Sequence, residues 1–229
     1  MTCSSSAVNA DCASDPSCDF CNEFANGTCR FLQPPRSRVV AETTNFIAMA
    51  ALGSFVDGYL LLCSKAHVPS MASLSSEDLA ELDSLLHDTR TAVEVVYGPT
   101  VVFEHGMASS RVVVGGCIVH AHIHLIPVAA DVVGFLSRQF ETERLSSLSA
   151  LSTFAGSGYI LVSNTVDELV IARNSTHSPS QFLRKYVAEQ AGKGDLWDWA
   201  AYLGIAEMER TIRTFEDPQS RRSYQLPFR

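Results

Sequence analysis

Three histidines alternate along one short stretch of the chain, at His120, His122 and His124. Successive side chains of an extended strand point to opposite faces, so this spacing predicts that all three imidazoles lie on one face. The intervening Ala121 and Ile123 are apolar and are expected to pack into a core. Because imidazole serves as a base, a nucleophile or a metal ligand near neutral pH, the stretch predicts a chemical site.

The composition excludes several classes of partner. The 229 residues suit one large domain or a domain with an extension, and a hydrophobic fraction of 46% allows a substantial core. A formal charge of −8 argues against an extended nucleic-acid or anionic-membrane surface. The sequence lacks an apolar run long enough for a membrane span and a secretory signal pattern, so we expect a cytoplasmic protein.

The apolar pattern predicts an α+β fold, in which an antiparallel sheet packs with one long helix. That helix begins at Ser75-Ser76, where a serine cap precedes acidic residues, and it continues to about Tyr97. Strands are expected within residues 39–50, 59–63, 100–104, 111–114 and at the histidines. We predict a disordered segment (1–17), a histidine domain (18–135) and a C-terminal α/β extension (136–229) with a hairpin at 159–172 and helices at 179–190 and 196–215.

The cysteines favour metal binding or free thiols. Five of the seven fall within the first 29 residues, and an odd count without an export signal argues against a disulfide framework. Cys18-x-x-Cys21 is half of a structural metal site, since two thiolates need two more ligands. Free surface thiols, a disulfide, and a metal held with Cys3, Cys12 or Cys29 are the alternatives.

The histidine pattern suits chemistry at phosphorus. A neutral imidazole is an uncharged, polarizable nucleophile, and its phosphoramidate is labile enough for water or a second substrate to open. The ring nitrogen that does not attack must keep its proton and be oriented by an acceptor, often a backbone carbonyl. Flanking imidazoles can donate hydrogen bonds to phosphoryl oxygens as charge spreads over them.

His-x-His-x-His followed by apolar residues resembles the motif of the histidine triad (HIT) superfamily of nucleotide hydrolases and transferases. Other segments agree with that family in order and spacing: Cys18-Asp-Phe-Cys21, residues 42–46, Gly58 to His67, Phe103 to Gly106, and Gly115 to Cys117. Residues 180–184 and 197–199 resemble the extension of some members that cleave dinucleoside polyphosphates.

The resemblance implies roles for individual residues. The three triad histidines form the catalytic group, with His122 as the nucleophile and His124 in contact with the phosphate or the leaving group. A structural zinc is implied at Cys18, Cys21, His67 and His120. A catalytic metal on all three histidines, as in zinc hydratases, is the rival geometry. The expected substrate-binding residues are Asn45, Glu104, His105, Ser109, Cys117 and Gln181.

The predicted function is hydrolysis of a nucleoside polyphosphate or phosphoramidate through a nucleotidyl–His122 intermediate. A transferase or phosphorylase with the same intermediate is the first alternative. A zinc-stabilised nucleotide-binding module without turnover is the second, because Glu104 and Gly116 depart from the family pattern. The resemblance also implies a homodimer with paired sheets. Arg184 and Lys185 are expected on a solvated helix face, with a phosphate contact from Arg184 as the alternative.

Overall fold

The computed structural model describes residues 15–109, 119–173 and 181–217. Within these residues eight strands form one sheet, and hydrogen-bonded neighbours are antiparallel. The strands are β1 (Val39–Glu42), β2 (Phe46–Ala50), β3 (Leu60–Ser64), β4 (Val101–Gly106), β5 (His122–Ile126), β6 (Thr142–Leu145), β7 (Tyr159–Ser163) and β8 (Leu169–Arg173). Their order across the sheet is β1-β2-β3-β5-β4-β7-β8-β6. The predicted strand at 111–114 lies outside the described residues.

Five helices accompany the sheet in the described part of the chain: α1 (Asp19–Asn26), α2 (Ser76–Tyr97), α3 (Val132–Ser137), α4 (Phe182–Gln190) and α5 (Ile205–Glu216). The α+β class is confirmed. Helix α2 begins where the sequence predicts, since the Ser75 hydroxyl accepts a hydrogen bond from the Asp78 amide at 3.1 Å. None of the described helices combines the length and the apolar character needed to cross a bilayer.

The last helix begins later than the sequence predicts. Residues 194–196 form a separate short 3-10 turn, and α5 begins only at Ile205. Gly204 precedes it with a φ of 59°, and an added Cβ there would collide with the backbone of Ser54. The chain therefore turns sharply at Gly204. The segment before this turn packs against the residues after β2, where Trp199 lies close to Gly53.

Each face of the sheet packs into its own core. Leu62, Ala121 and Ile123 face one core together with the apolar side of α2. Leu61, Cys63 and Phe103 face the other core together with residues of α1, α3 and α4. The predicted alternation along the histidine strand is thus observed, because the residues between the histidines are buried on the face opposite to the imidazoles.

The sheet continues across the predicted boundary at residues 135/136. Strand β4 pairs with β7 from Val102↔Ser163 to Gly106↔Tyr159. The buried Arg90 of α2 strengthens this junction, since its guanidinium donates to the Ser163 hydroxyl at 2.7 Å and to the Asn164 carbonyl at 2.6 Å. The edges of the described sheet are β1 and β6. A homodimer with paired sheets stays a prediction.

Glu104 lies on the side of β4 opposite to Phe103 and His105, because neighbouring side chains of a strand alternate. One carboxyl oxygen accepts from the Met71 amide at 2.8 Å and the other accepts from the Tyr159 hydroxyl at 2.5 Å. Burial raises the pKa of Glu104 to about 7, although both hydrogen bonds act in the opposite direction. The structure therefore gives Glu104 a buried, structural position rather than the substrate contact expected from the sequence.

This burial predicts a pH-dependent stability. The folded protein holds the Glu104 proton up to about pH 7, whereas an unperturbed glutamate loses it near 4.5. The folded state binds more protons between these values, so this group lowers the free energy of unfolding as pH rises through that interval. Between pH 5 and 8 we expect the free energy of unfolding of the unchanged protein to fall by about 1–3 kcal/mol because of this group. Glutamine does not titrate, so this contribution should be absent in Glu104→Gln.

Urea unfolding at a series of pH values measures this difference. Glu143→Gln is the matched control, because Glu143 is half exposed and pairs with Arg173 at the surface. The control should follow the unchanged protein at every pH. Parallel stability curves for Glu104→Gln and the unchanged protein would contradict the assignment.

Candidate functional site

Strand β5 places two of the three triad histidines side by side. His122 lies opposite Cys63 of β3, and His124 lies opposite Leu61 of β3 and Phe103 of β4. The rings of His122 and His124 share one face, and their centroids are 4.8 Å apart. Both rings line the same cavity. The third histidine, His120, lies two residues before the strand begins.

His122 has the hydrogen bonding that a nucleophile requires. Its Nδ1 lies 2.7 Å from the carbonyl oxygen of His120. A carbonyl only accepts hydrogen bonds, so Nδ1 carries the proton and donates it. The lone pair of the neutral ring is therefore on Nε2. Burial lowers the pKa of His122, which favours this neutral form.

His124 is held by two aromatic neighbours. Its ring stacks on Phe103 with a centroid distance of 4.4 Å and an interplanar angle of 22°. Its Nδ1 lies 2.6 Å from the hydroxyl oxygen of Tyr59. The same oxygen accepts a hydrogen bond from Nη1 of Arg184 at 2.9 Å. Burial is the main cause that holds the pKa of His124 well below its usual value. A proton on His122 would act in the same direction, as does the charge of Arg184.

Arg184 is buried, in contrast to the solvated helix face expected from the sequence. Only 4% of the residue is exposed. Besides its bond to Tyr59, it donates from Nε to the Trp197 carbonyl at 2.6 Å and from Nη2 to the Gly53 carbonyl. The sequence did contain a signal for this burial. Arg184 precedes the buried Val187 and Ala188 by three and four positions, which places it on the apolar side of α4.

The cavity has walls from three parts of the chain. Helix α1 and the residues after it form one wall, the sheet forms the floor, and α4 with Trp199 forms the opposite wall. Two arginines of the first wall are paired with acidic side chains in the same wall: Arg30 with Asp19 at 3.2 Å and Arg38 with Glu23 at 2.7 Å. The predicted residues His105 and Gln181 both line this cavity.

Three other predicted substrate-binding residues are described by the structure, and none of the three lines this cavity. The Asn45 amide donates to carboxylates of α2, at 2.7 Å to Asp78 and 2.9 Å to Glu81. Asn45 sits at the start of β2, two strands away from β5, and this explains its distance from the imidazoles. Neither Ser109 nor Glu104 is among the lining residues. Cys117 lies outside the described residues.

Four side chains converge beside the triad in an arrangement that could hold a metal ion. The ligand atoms of Cys18, Cys21, His67 and His120 all lie within 4.8 Å of one another. The family resemblance implied this set, although His67 and His120 are separated by more than 50 residues. Helix α1 supplies Cys21, the residue before it supplies Cys18, and the segments after β3 and before β5 supply the imidazoles.

The distances in this cluster fit tetrahedral coordination. Nδ1 of His120 lies 3.5 Å from Sγ of Cys18 and 3.7 Å from Sγ of Cys21, and Nδ1 of His67 lies 3.4 Å from Sγ of Cys21. A sulfur and a nitrogen bound to one tetrahedral zinc are about 3.5 Å apart. Burial raises the pKa of Cys18 to about 11, so a thiolate at this position requires a compensating cation.

His120 has the tautomer that a metal ligand at Nδ1 requires. Its Nε2 lies 2.7 Å from the Ser64 carbonyl oxygen and therefore carries the proton. This leaves the lone pair on Nδ1, the atom that faces the two thiols. Burial lowers the pKa of His120 to about 4, so the ring is neutral at pH 7. Histidines that bind metals commonly donate their other N–H to a carbonyl in this way.

The rival geometry, a catalytic metal on all three triad histidines, is not favoured by these contacts. Among the described residues, the cluster of possible ligands contains His120 but neither His122 nor His124. Nδ1 of His122 is occupied by a carbonyl, and Nδ1 of His124 is occupied by the Tyr59 hydroxyl. Imidazoles that converged on one ion would need their free nitrogens directed to a common point.

Part of the chain is similar in fold to several solved structures. No protein-family model matches the chain, and no curated protein matches it significantly. Among solved structures, it is similar to a HIT-like protein involved in cell-cycle regulation from Bartonella henselae, with a TM-score of 0.40 and 20% identity over 50% of this chain and 79% of that chain. A hypothetical histidine triad nucleotide-binding protein from Sulfolobus tokodaii gives a TM-score of 0.32 and 22% identity over 39% of this chain and 59% of that chain.

A third structure covers more of the chain. A DUF4931 family protein from Bacillus cereus matches with a TM-score of 0.40 and 11% identity over 71% of this chain and 99% of its own. All of these values are low. The functional conclusion therefore depends on the residues of the site themselves.

Proposed function

We propose that this protein is a histidine triad hydrolase that cleaves nucleoside polyphosphates or nucleoside phosphoramidates through a covalent nucleotidyl–His122 intermediate. The observation that carries the proposal is the hydrogen bond from Nδ1 of His122 to the His120 carbonyl, which leaves the Nε2 lone pair for attack. The ordered motifs of the sequence support the same family.

The proposed hydrolysis has two steps, each of which forms one bond to phosphorus and breaks another. The Nε2 lone pair of His122 forms a bond to the α-phosphorus, and the bond from phosphorus to the rest of the substrate breaks with its electron pair on the leaving group. Water then attacks the same phosphorus, the N–P bond breaks, and His122 recovers its neutral form. For diadenosine tetraphosphate the products are AMP and ATP, with one water consumed.

The walls of the cavity suit a nucleotide. Phe20, Leu52 and Phe103 provide apolar surface for a base, while the imidazoles lie on the floor. His105 lines the cavity near Phe182 of α4, with a centroid distance of 6.4 Å. We assign His105 and Gln181 to contacts with the phosphate or the leaving group.

We further propose that the ion of the Cys18, Cys21, His67 and His120 cluster is a structural zinc. Two thiolates and two imidazoles are a ligand set that zinc prefers, and four protein ligands leave no open position for substrate. When bound, zinc would fix the backbone of His120, whose carbonyl orients His122. The four residues would therefore position the nucleophile without taking part in the reaction.

Transfer to an acceptor other than water remains the second candidate, because the same intermediate serves both reactions. Phosphate in place of water would convert diadenosine tetraphosphate to ADP and ATP. The two activities are therefore distinguished by the products formed with and without phosphate.

The test of the mechanism is incubation with diadenosine tetraphosphate and, separately, with adenosine phosphoramidate. We expect AMP as a product, and a transient mass increase that corresponds to one AMP per chain. His122→Asn should lower turnover at least about 1,000-fold and abolish the adduct, because asparagine keeps a hydrogen-bond donor but lacks the nucleophile. Chromatography of products and intact mass spectrometry provide the readouts.

His87→Asn is the matched control for this experiment. His87 is an exposed histidine of α2 that does not line the cavity, so its substitution should leave turnover unchanged. An active His122→Asn variant would contradict the covalent mechanism. Nucleotide binding without product or adduct in the unchanged protein would instead identify a binding module.

The zinc assignment predicts one zinc per purified chain by elemental analysis. Cys21→Ser should lose the metal and unfold at a lower temperature, since metal binding contributes to folding free energy. Cys29→Ser is the matched control, because Cys29 is also buried but belongs to the core on the other face of the sheet. A native protein free of metal, or full zinc content in Cys21→Ser, would refute the assignment.

A further inference from the structure

We propose that Arg184 and Tyr59 are positioning residues that hold His124 as an Nε2–H hydrogen-bond donor beside the nucleophilic Nε2 of His122. The inference rests on the proposed function for its catalytic consequence. The tautomer of His124 is a property of the folded protein and can be measured without substrate.

Arg184 begins the chain of hydrogen bonds. Its guanidinium is buried and donates to the carbonyls of Gly53 and Trp197 as well as to Tyr59. A guanidinium has only donors, so the Tyr59 oxygen must be the acceptor in their contact at 2.9 Å. The rings of Phe55 and Tyr59 each lie 5.3 Å from the guanidinium carbon, which restricts its position further.

The contact with Arg184 determines the direction of the hydrogen bond between Tyr59 and His124. The phenol has a single proton, and with Arg184 donating to its oxygen, that proton is directed to Nδ1 of His124 at 2.6 Å. Burial raises the pKa of Tyr59, so the phenol keeps this proton at neutral pH. The positive charge of Arg184 also disfavours a second proton on the His124 ring.

Adjacent triad histidines consequently have opposite tautomers. His124 accepts at Nδ1 and carries its proton on Nε2, whereas His122 donates from Nδ1 and has its lone pair on Nε2. The two rings are 4.8 Å apart and line one cavity. A phosphoryl group in that cavity would meet a nucleophile from one ring and a donor to its oxygens or to the leaving group from the next.

The chain of contacts gives the C-terminal segment a role in the reaction. Arg184 belongs to α4, and its Nε is held by the backbone of Trp197, so the segment that contains both residues determines the protonation pattern of a β5 histidine. Trp199 lies close against Gly53, where an added Cβ would sit 2.5 Å from the Trp199 Cβ. The guanidinium therefore has little room to move away from Tyr59.

The direct test is the long-range ¹H–¹⁵N spectrum of the zinc-loaded full chain, which distinguishes protonated from unprotonated ring nitrogens. We expect His122 to be protonated at Nδ1 and His124 at Nε2. Tyr59→Phe removes the hydroxyl with little change in shape, and should convert His124 to a mixture of tautomers while His122 is unchanged. A His124 ring protonated at Nδ1 in the unchanged protein, or an unaltered His124 in Tyr59→Phe, would overturn the proposal.

Kinetics test the catalytic consequence. Arg184→Gln and Tyr59→Phe should each lower kcat about 2-fold or more, with KM changed less than kcat, because part of the population then lacks the donor to charge that develops in the transition state. Lys185→Gln is the matched control, since Lys185 is the exposed neighbour of Arg184 on the same helix. Should Arg184→Gln fail to fold, Tyr59→Phe and the spectrum of the unchanged protein still decide the question.

Different results would contradict the proposed hydrolase function and the positioning role of Arg184 and Tyr59. Absence of turnover and adduct in the unchanged protein would contradict the proposed function and leave the tautomers to be judged from the spectrum. Turnover that is normal in both Arg184→Gln and Tyr59→Phe would contradict the inference alone.

Discussion

His120 contacts three parts of the molecule at once, and the geometry of the site depends on it. Its Nδ1 faces the thiols of Cys18 and Cys21, its Nε2–H donates to the Ser64 carbonyl, and its own carbonyl accepts from His122. The two ring contacts are linked, because a neutral imidazole has one donor and one acceptor, and the backbone of the same residue supplies the third contact. The ligand cluster, the sheet and His122, the proposed nucleophile, are thereby joined through one residue, so an ion bound to the cluster would act on His122 through the backbone.

The C-terminal segment provides the corresponding restraint on the other side of the cavity. There, a chain of hydrogen bonds runs from Arg184, which can only donate, through the Tyr59 hydroxyl to the ring of His124. The first restraint starts from a carbonyl, which can only accept. The His120 carbonyl, an acceptor, and the Arg184 guanidinium, a donor, thus favour different tautomers of the neighbouring His122 and His124 rings. Burial supports this arrangement, since it keeps both rings neutral.

The sequence predicted those features that repeat locally or belong to a motif. The alternation on β5, the span of α2 and the four-residue ligand set were available from spacing and resemblance. The position of Glu104 was not available, because a charged residue is normally solvated and its burial depends on a partner far along the chain, here Tyr159. For Arg184 the helical spacing indicated the apolar side of α4, but its buried partner Tyr59 is distant in sequence and could not be inferred. The late start of α5 was missed for a similar reason, since Gly204, the residue before the helix, packs closely on Ser54, which is distant in sequence.

The position of β5 within the sheet has a consequence for motion. β5 is hydrogen bonded to β3 on one side and β4 on the other, and two or more further strands lie beyond each neighbour. Edge strands can open locally at low free-energy cost, but amides in such a central strand exchange with solvent mainly when the whole domain unfolds. Fraying of β1 or β6 would therefore leave the backbone of His122 and His124 in place, so the two rings keep their shared anchor for as long as the sheet is folded.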